Sequence, residues 1–450
     1  MTTVIEGCAV VTMDPARTEY TDGHVVVADN RIVAVGPGRA PTIPEARSID
    51  GRGCLVTPGL INTHHHLYQW LTRGLAADAT LFEWLTTLYP VWAGIDADLV
   101  HVGATAALAH LARSGCSTTT DHHYVVPRGG GDVFEAEIYA ARDVGLRFHP
   151  ARGSMDLGRS AGGLPPDELV EDRDTVLAAT EDAIARWHDP SPGSMLQLAV
   201  APCSPFSVTA ELMLEAASLA RKHAVRLHTH LAETQDEDAY CREHFGCAPL
   251  DYVEQLGWLG PDVWFAHAIH LDDDAVKRVG AARTGVAHCP TSNARLGAGI
   301  APAVSLRAAG APVGLGVDGA ASNESSSLLE DARHALLFAR AKGGPDALTV
   351  RDALAMATLG GADVLGRADE LGSLEPGKLA DLALWRLDTA AHAGITDPVA
   401  ALLLGPPPVV ELLLVDGRPV VEHGRVVTVD ETALAARTRA AHNQLISKAG

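Results

Sequence analysis

Lysine is almost missing from this chain. Five of its 450 residues are lysine (Lys222, Lys277, Lys342, Lys378 and Lys448), and none precedes position 222. Arginine brings the basic total to 35 against 56 acids, a net charge of −21. That balance speaks against a nucleic-acid backbone or an anionic membrane as partner, because both need basic patches. The seven cysteines include no CxxC pair, which leaves a zinc ribbon and a disulfide scaffold as poor readings. No uncharged apolar stretch reaches the ~18 residues of a membrane span. The opening MTTVIEGCAVVTMDP lacks a basic flank followed by a long apolar run, so no signal peptide is expected. The expected product is soluble and cytoplasmic. Also missing are a GxGxxG after the first strand, a 20–50-residue repeat and any low-complexity tract.

Histidine, by contrast, is plentiful and clustered, with 21 copies. Hydrophobic residues make up 47%, enough for the core of two to three average domains, or of one large domain with an appendage. Both ends of the chain read as short strands. VIEGCAVVTM and HVVVADNRIVAVG open the sequence; LADLALWRL and VVELLLVDGRPVVEHGRVV, with a turn at Asp416-Gly417, close it. The expectation is a small β-sandwich domain built from both termini, residues 1–57 plus 373–450. Between them, eight apolar runs alternate with amphipathic segments: CLVTPGLINTH, CSTTTDHH, LRFHPAR, MLQLAVAP, VRLHTHL, VWFAHA, GVAHCP and PVGLGVDG. Eight strand–helix units over roughly 300 residues predict an α/β fold, a (β/α)8 TIM barrel over 58–372.

Polar residues gather at the ends of these runs, where a barrel places its active site. Strand one ends in His64-His65-His66, strand two in Asp121-His122-His123, strand five in His228-Thr229-His230, strand six in His267, strand seven in His288 and strand eight in Asp318. Side chains alternate along a strand, so His64 and His66 face one way and His65 the other. An HxH pair can hold one metal ion; it can equally be a buried cluster satisfied by backbone. With His230 and Asp318 at other strand ends, three histidines and a carboxylate suit a catalytic ion with an open position. Glu233, three residues after His230, is placed either to shuttle protons or to cap the following helix.

The segments PGLINTHHH, THLAET, AHAIHL and GVDGAASN, with TLGGADVLG and LGSLEPGKLADLAL near the end, resemble the amidohydrolase superfamily. The resemblance covers essentially the whole chain. It implies that His64, His66, His230 and Asp318 are metal ligands, that Glu233 shuttles protons, that His267 polarises substrate or orients water, and that Asp318 also acts as base. Binuclear members use a carboxylated lysine near strand four, and no lysine lies between residues 1 and 221. One divalent ion is therefore expected, zinc first and iron second.

Within the superfamily, LINTHHHLYQWLTRGL, ARGSMDLGRSAGG, APCSPFSV and AHCPTSNARLGAG resemble the 8-oxoguanine deaminases, with triazine hydrolases as neighbours. The implied reaction is hydrolytic deamination of an aminopurine by a metal-activated water, 8-oxoguanine giving uric acid and ammonia. The alternatives are an s-triazine, guanine or aminopyrimidine substrate and, more distantly, a non-catalytic binding barrel. Candidates for holding the heterocycle are Gln69, Trp84, Arg152, Cys203 and Asn323. Trp84 reads equally well as helix core, Arg152 as half of an ion pair and Cys203 as a small buried residue. His122 and His123 read first as core histidines. The expected partner is thus a small heterocycle; self-association into a homo-oligomer is left open.

Overall fold

The computed structural model describes residues 2–449. The eight apolar runs form parallel strands β1 (Leu60–Asn62), β2 (Cys116–His123), β3 (Arg147–Ser154), β4 (Ala199–Pro202), β5 (Arg226–Leu231), β6 (Val263–His267), β7 (Gly285–His288) and β8 (Val313–Leu315). Each pairs with the next, and Leu315 of β8 meets Asn62 of β1 to close the barrel. The fold is the (β/α)8 barrel expected from the alternation.

Barrel strands are covered on both faces, so polar residues within them need internal partners. All eight residues of β2 are buried although most are polar; Asn62 Nδ2, for example, donates to Thr119 Oγ1 at 2.9 Å. The floor is filled by Ile61, Ala151, Ala199, Ala201 and Ala287 around Trp264. The alanines leave the room that the indole takes, and its N–H donates to the Thr63 carbonyl at 3.1 Å.

The two ends of the chain join in one nine-stranded sheet. The seam is the antiparallel pairing of Cys54–Pro58 with Leu382–Arg386. Ile5, Val25 and Ile32 from one side and Leu382, Leu384 and Leu412 from the other share one apolar core. Two-residue turns at Asp29-Asn30 and Asp416-Gly417 link neighbouring strands. Asp416 and Gly417 both have positive φ, 52° and 73°, as the tight turns favoured by strand twist require. Buried Arg147 on β3 ties sheet to barrel: its guanidinium donates to both oxygens of Asp381, at 2.9 and 3.0 Å, and to Asp416 at 3.3 Å.

Two helices bear on the barrel mouth and its flank. Leu81–Trp92 presents Leu81, Trp84, Leu85, Leu88, Tyr89 and Trp92 on one buried face, the helical period of an amphipathic segment. The closing helix, Glu431–Ala449, buries Leu434, Ala441 and Leu445 and anchors to the barrel side through His442 Nδ1 on the Leu71 carbonyl at 2.7 Å and Lys448 on Asp96 at 2.7 Å. Among the described residues no helix is long and apolar enough to cross a membrane.

Candidate active site

The alternation along the first strand is visible in the structure. His64 and His66 point into the barrel mouth, while His65 turns aside and its Nδ1 accepts the His66 backbone N–H at 2.7 Å. Hydrogen bonds to each Nδ1 fix the tautomers. His66 Nδ1 donates to the His122 carbonyl at 2.7 Å, and His230 Nδ1 to the Cys203 carbonyl at 2.8 Å. His228 Nδ1 donates to the Trp264 carbonyl at 2.9 Å, so its Nε2 accepts from His64 Nδ1 at 2.8 Å. All three rings thereby present a bare Nε2. His66 Nε2 and His230 Nε2 stand 3.1 Å apart, and His64 Nε2 is buried without a partner.

Two lone pairs facing at that distance repel, and no proton remains for either nitrogen. A cation relieves the conflict. Asp318 Oδ1 completes the set, 3.5 Å from His64 Nε2 and 3.3 Å from His66 Nε2. Burial alone would raise its pKa, but the imidazoles of His64, His267 and His66 around it hold it well below the usual carboxylate range. Ser292 Oγ donates to Oδ2 at 2.6 Å, and the Gly319 N–H to Oδ1 at 2.7 Å. Three neutral imidazoles and an oriented carboxylate fit a divalent metal. Donor atoms of His64, His122 and His230 also lie within 4.8 Å of one another. His122 stacks on His230 with ring centroids 4.7 Å apart and spends Nε2 on the Ala201 carbonyl, which leaves its Nδ1 unpartnered.

Glu233 and His267 sit beside this set. His267 Nε2 is 3.6 Å from Glu233 Oε2 and 3.9 Å from Asp318 Oδ2, with its Nδ1 donating to Asn293 Oδ1 at 2.9 Å. Burial of the ring opposes charge, but the two carboxylates outweigh it and raise its pKa. Burial pushes the Glu233 carboxyl up to about 7, against the opposing pull of His267. Glu237 accepts the backbone N–H groups of Ala232 and Glu233, at 2.8 and 2.9 Å, and so fixes the turn that aims Glu233. Ala232, His267, Ala268 and Asp318 all have positive φ. Such backbone strain gathers where function dictates side-chain direction.

A cavity over the donors is walled by Gln69, Leu81, Trp84, Leu85, Tyr89, Tyr124, Cys203, Phe206 and Ser322, among others. Its free volume is about 30 Å³, room for about one water. Gln69 Oε1 is buried without a partner. The Trp84 indole N–H is already spent on the Ala321 carbonyl at 3.2 Å, so that residue offers a ring face and not a donor. Two of the five expected substrate residues are not brought here. Arg152 turns away to Glu171, at 2.9 and 3.0 Å, and to the Gly153 carbonyl. Asn323 is a structural bracket: its Nδ2 donates to the Val317 carbonyl and to Asp331, both at 2.9 Å. Tyr89, Tyr124, Phe206 and Ser322 were not foreseen, nor were the bracing roles of Ser292, Asn293 and Glu237.

Barrel, terminal sheet and converging donors together define a class. Residues 55–420 match the amidohydrolase family, and the chain belongs to it, as a hydrolytic deaminase. Among curated proteins it is 47% identical to an 8-oxoguanine deaminase of Pseudomonas aeruginosa, over 94% of this chain and 95% of that protein. It is 37% identical to a hydroxydechloroatrazine ethylaminohydrolase of Pseudomonas sp. strain ADP, over 94% and 92%. Among solved structures, the atrazine chlorohydrolase of Arthrobacter aurescens TC1 complexed with zinc superposes with a TM-score of 0.94 at 35% identity, over 98% of this chain and 100% of that one.

Proposed function

We propose that this enzyme deaminates an amino-substituted purine, 8-oxoguanine before others, taking up water and releasing uric acid and ammonia. The observation that carries the reading is the 47% identity to an 8-oxoguanine deaminase along nearly the whole of both chains. His64, His66, His230 and Asp318 would hold one divalent metal, zinc before iron. Such an ion supplies Lewis acidity, lowering the pKa of a bound water toward ~7.

The protein groups handle the protons. Glu233, with its carboxyl raised to about 7, exchanges a proton near neutral pH and delivers it to the ring nitrogen beside the attacked carbon. This avoids building negative charge in the ring. A C–O bond forms at that carbon, Asp318 takes up the second proton of the water and passes it to the amine nitrogen, and the C–N bond breaks to release ammonia. His267, steered by Asn293 and held toward the charged form by its two carboxylate neighbours, polarises the departing side. Gln69 presents its free amide oxygen to an N–H on the heterocycle edge, and Trp84 gives a flat wall.

The likeness to an atrazine chlorohydrolase and an ethylaminohydrolase supports a second reading, hydrolysis of an s-triazine. Incubation with 8-oxoguanine, guanine, isocytosine, ammeline and hydroxyatrazine, with ammonia and alkylamine measured, separates the two. Fastest turnover of 8-oxoguanine is expected. Turnover of triazines without any oxopurine would overturn the first reading.

A further inference from the structure

A second cavity, of about 230 Å³, lies behind β7, on the outer side of the barrel wall. Ala287 faces the barrel core with Trp264 and Ile61, so the next residue, His288, faces outward. The His288 ring forms part of the cavity lining. It is 3% exposed; its Nδ1 is sealed inside the protein, and its Nε2 keeps the accessible edge and has no hydrogen-bond partner among the described residues. Above it rise apolar walls, among them Ile300, Val304, Ala339, Leu348 and Met356. Ile300 and Val304 are 37% and 38% exposed. Lys342 also lines the cavity. In a chain with 56 acids, no acidic side chain lines this space, and Lys342, an exposed residue, makes no ion pair among the described residues.

We propose that this cavity is a second ligand site, separate from the catalytic one, for a small hydroxylated aromatic carboxylate. The hydroxyl meets the open edge of the His288 ring at Nε2, which it can satisfy in either tautomer because it both donates and accepts. The ring lies against the apolar walls, and the carboxylate meets Lys342. At ~30 Å³ per liquid water the space equals about eight waters, the scale of a one-ring molecule.

The site is connected to the catalytic centre by one continuous segment. After His288, Ser292 bonds Asp318 and Asn293 bonds His267. Leu296 lines the catalytic cavity, and Ile300 to Val304 line the second one. A ligand that shifts residues 300–304 therefore acts on Leu296 and on the braces of two catalytic side chains, and changes KM.

The test uses 3-(4-hydroxyphenyl)propionate with the metal-loaded enzyme, titrated by calorimetry and by ligand-observed NMR. This arm does not depend on the identity of the substrate. Saturable binding is expected, weaker by about two- to fivefold in Lys342→Gln, absent in Val304→Trp, which plugs the space, and weaker for 3-phenylpropionate, which lacks the hydroxyl. The KM for the deaminated substrate shifts with the same half-saturation. Absence of saturable binding overturns the site, and so does binding that neither substitution affects, which would put the probe at the catalytic centre. Equal affinity for the two probes overturns the role of His288. An unchanged KM at saturation overturns the coupling.

Discussion

A β-carbon on Gly319 would stand 1.7 Å from Oε1 of Gln69. Gly319 follows Asp318 directly, so the residue after a proposed metal ligand is one whose missing side chain makes room for a proposed substrate contact. The backbone of Gly319 is not in the left-handed region; the constraint is space alone. Gly319→Ala should therefore push the Gln69 amide aside while leaving the metal donors in place. The expected outcome is a KM raised about tenfold, equivalent to ~1.4 kcal/mol, with metal content unchanged. A KM equal to wild type would show that Gln69 does not touch the substrate.

Glu233 makes no hydrogen bond to the four proposed metal donors, so its carboxyl is free to carry a proton. Glu233→Gln should retain metal and fold while kcat falls by about 10²–10⁴, the usual worth of a positioned acid–base group. Steady-state kinetics beside metal analysis reads both; normal turnover would remove Glu233 from the proton path.

His228 sets the tautomer of His64 by accepting from its Nδ1. His228→Phe keeps an aromatic ring where the imidazole stacks on Trp264 but loses the acceptor. Metal affinity should drop about 10–100-fold, read by competition with a chromogenic chelator. Unaltered affinity would mean that the tautomer of His64 is fixed in some other way.

Glu137 is fully buried against His123 and Asp121, and burial pushes its carboxyl from 4.5 to about 8. Between those values the folded protein keeps a proton that the unfolded chain has released. Stability from this group is therefore complete below about pH 4.5 and is lost as pH rises toward 8, with a slope of up to ~1.4 kcal/mol per pH unit. Asp121 is raised in the same way, first by burial and then by Glu137. Urea denaturation at pH 5, 7 and 9 should show the decline, and Glu137→Gln should flatten it. A wild type that gains stability from pH 5 to 8 while the variant does not would reverse the sign.

The barrel was legible because eight apolar runs of strand length alternate with amphipathic helices, a pattern that few folds satisfy. The convergence of His64, His66, His230 and Asp318 was legible for a similar reason: strand ends in a barrel meet at one mouth, and the two-residue period says which histidine of three turns away. The same logic failed for Arg152. It does lie near the mouth end of a strand, but its long side chain reaches Glu171, nineteen residues away in sequence, and nothing local announces that partner. Asn323 failed likewise, because its amide closes a turn between Val317 and Asp331. Tyr89, Tyr124 and Phe206 carry no distinguishing signal, since an aromatic side chain lining a closed cavity and one filling a core are buried alike. Ser292 and Glu237 act through other side chains, and only three-dimensional contact identifies such partners.

We propose that three tautomer-locked histidines and Asp318 hold a single divalent ion on which hydrolysis depends. Elemental analysis of extensively dialysed, active protein tests it most directly. About one equivalent of zinc or iron per chain is expected, falling together with activity in His66→Ala. Full turnover by protein without divalent metal, or two tightly held equivalents per chain, would contradict the account.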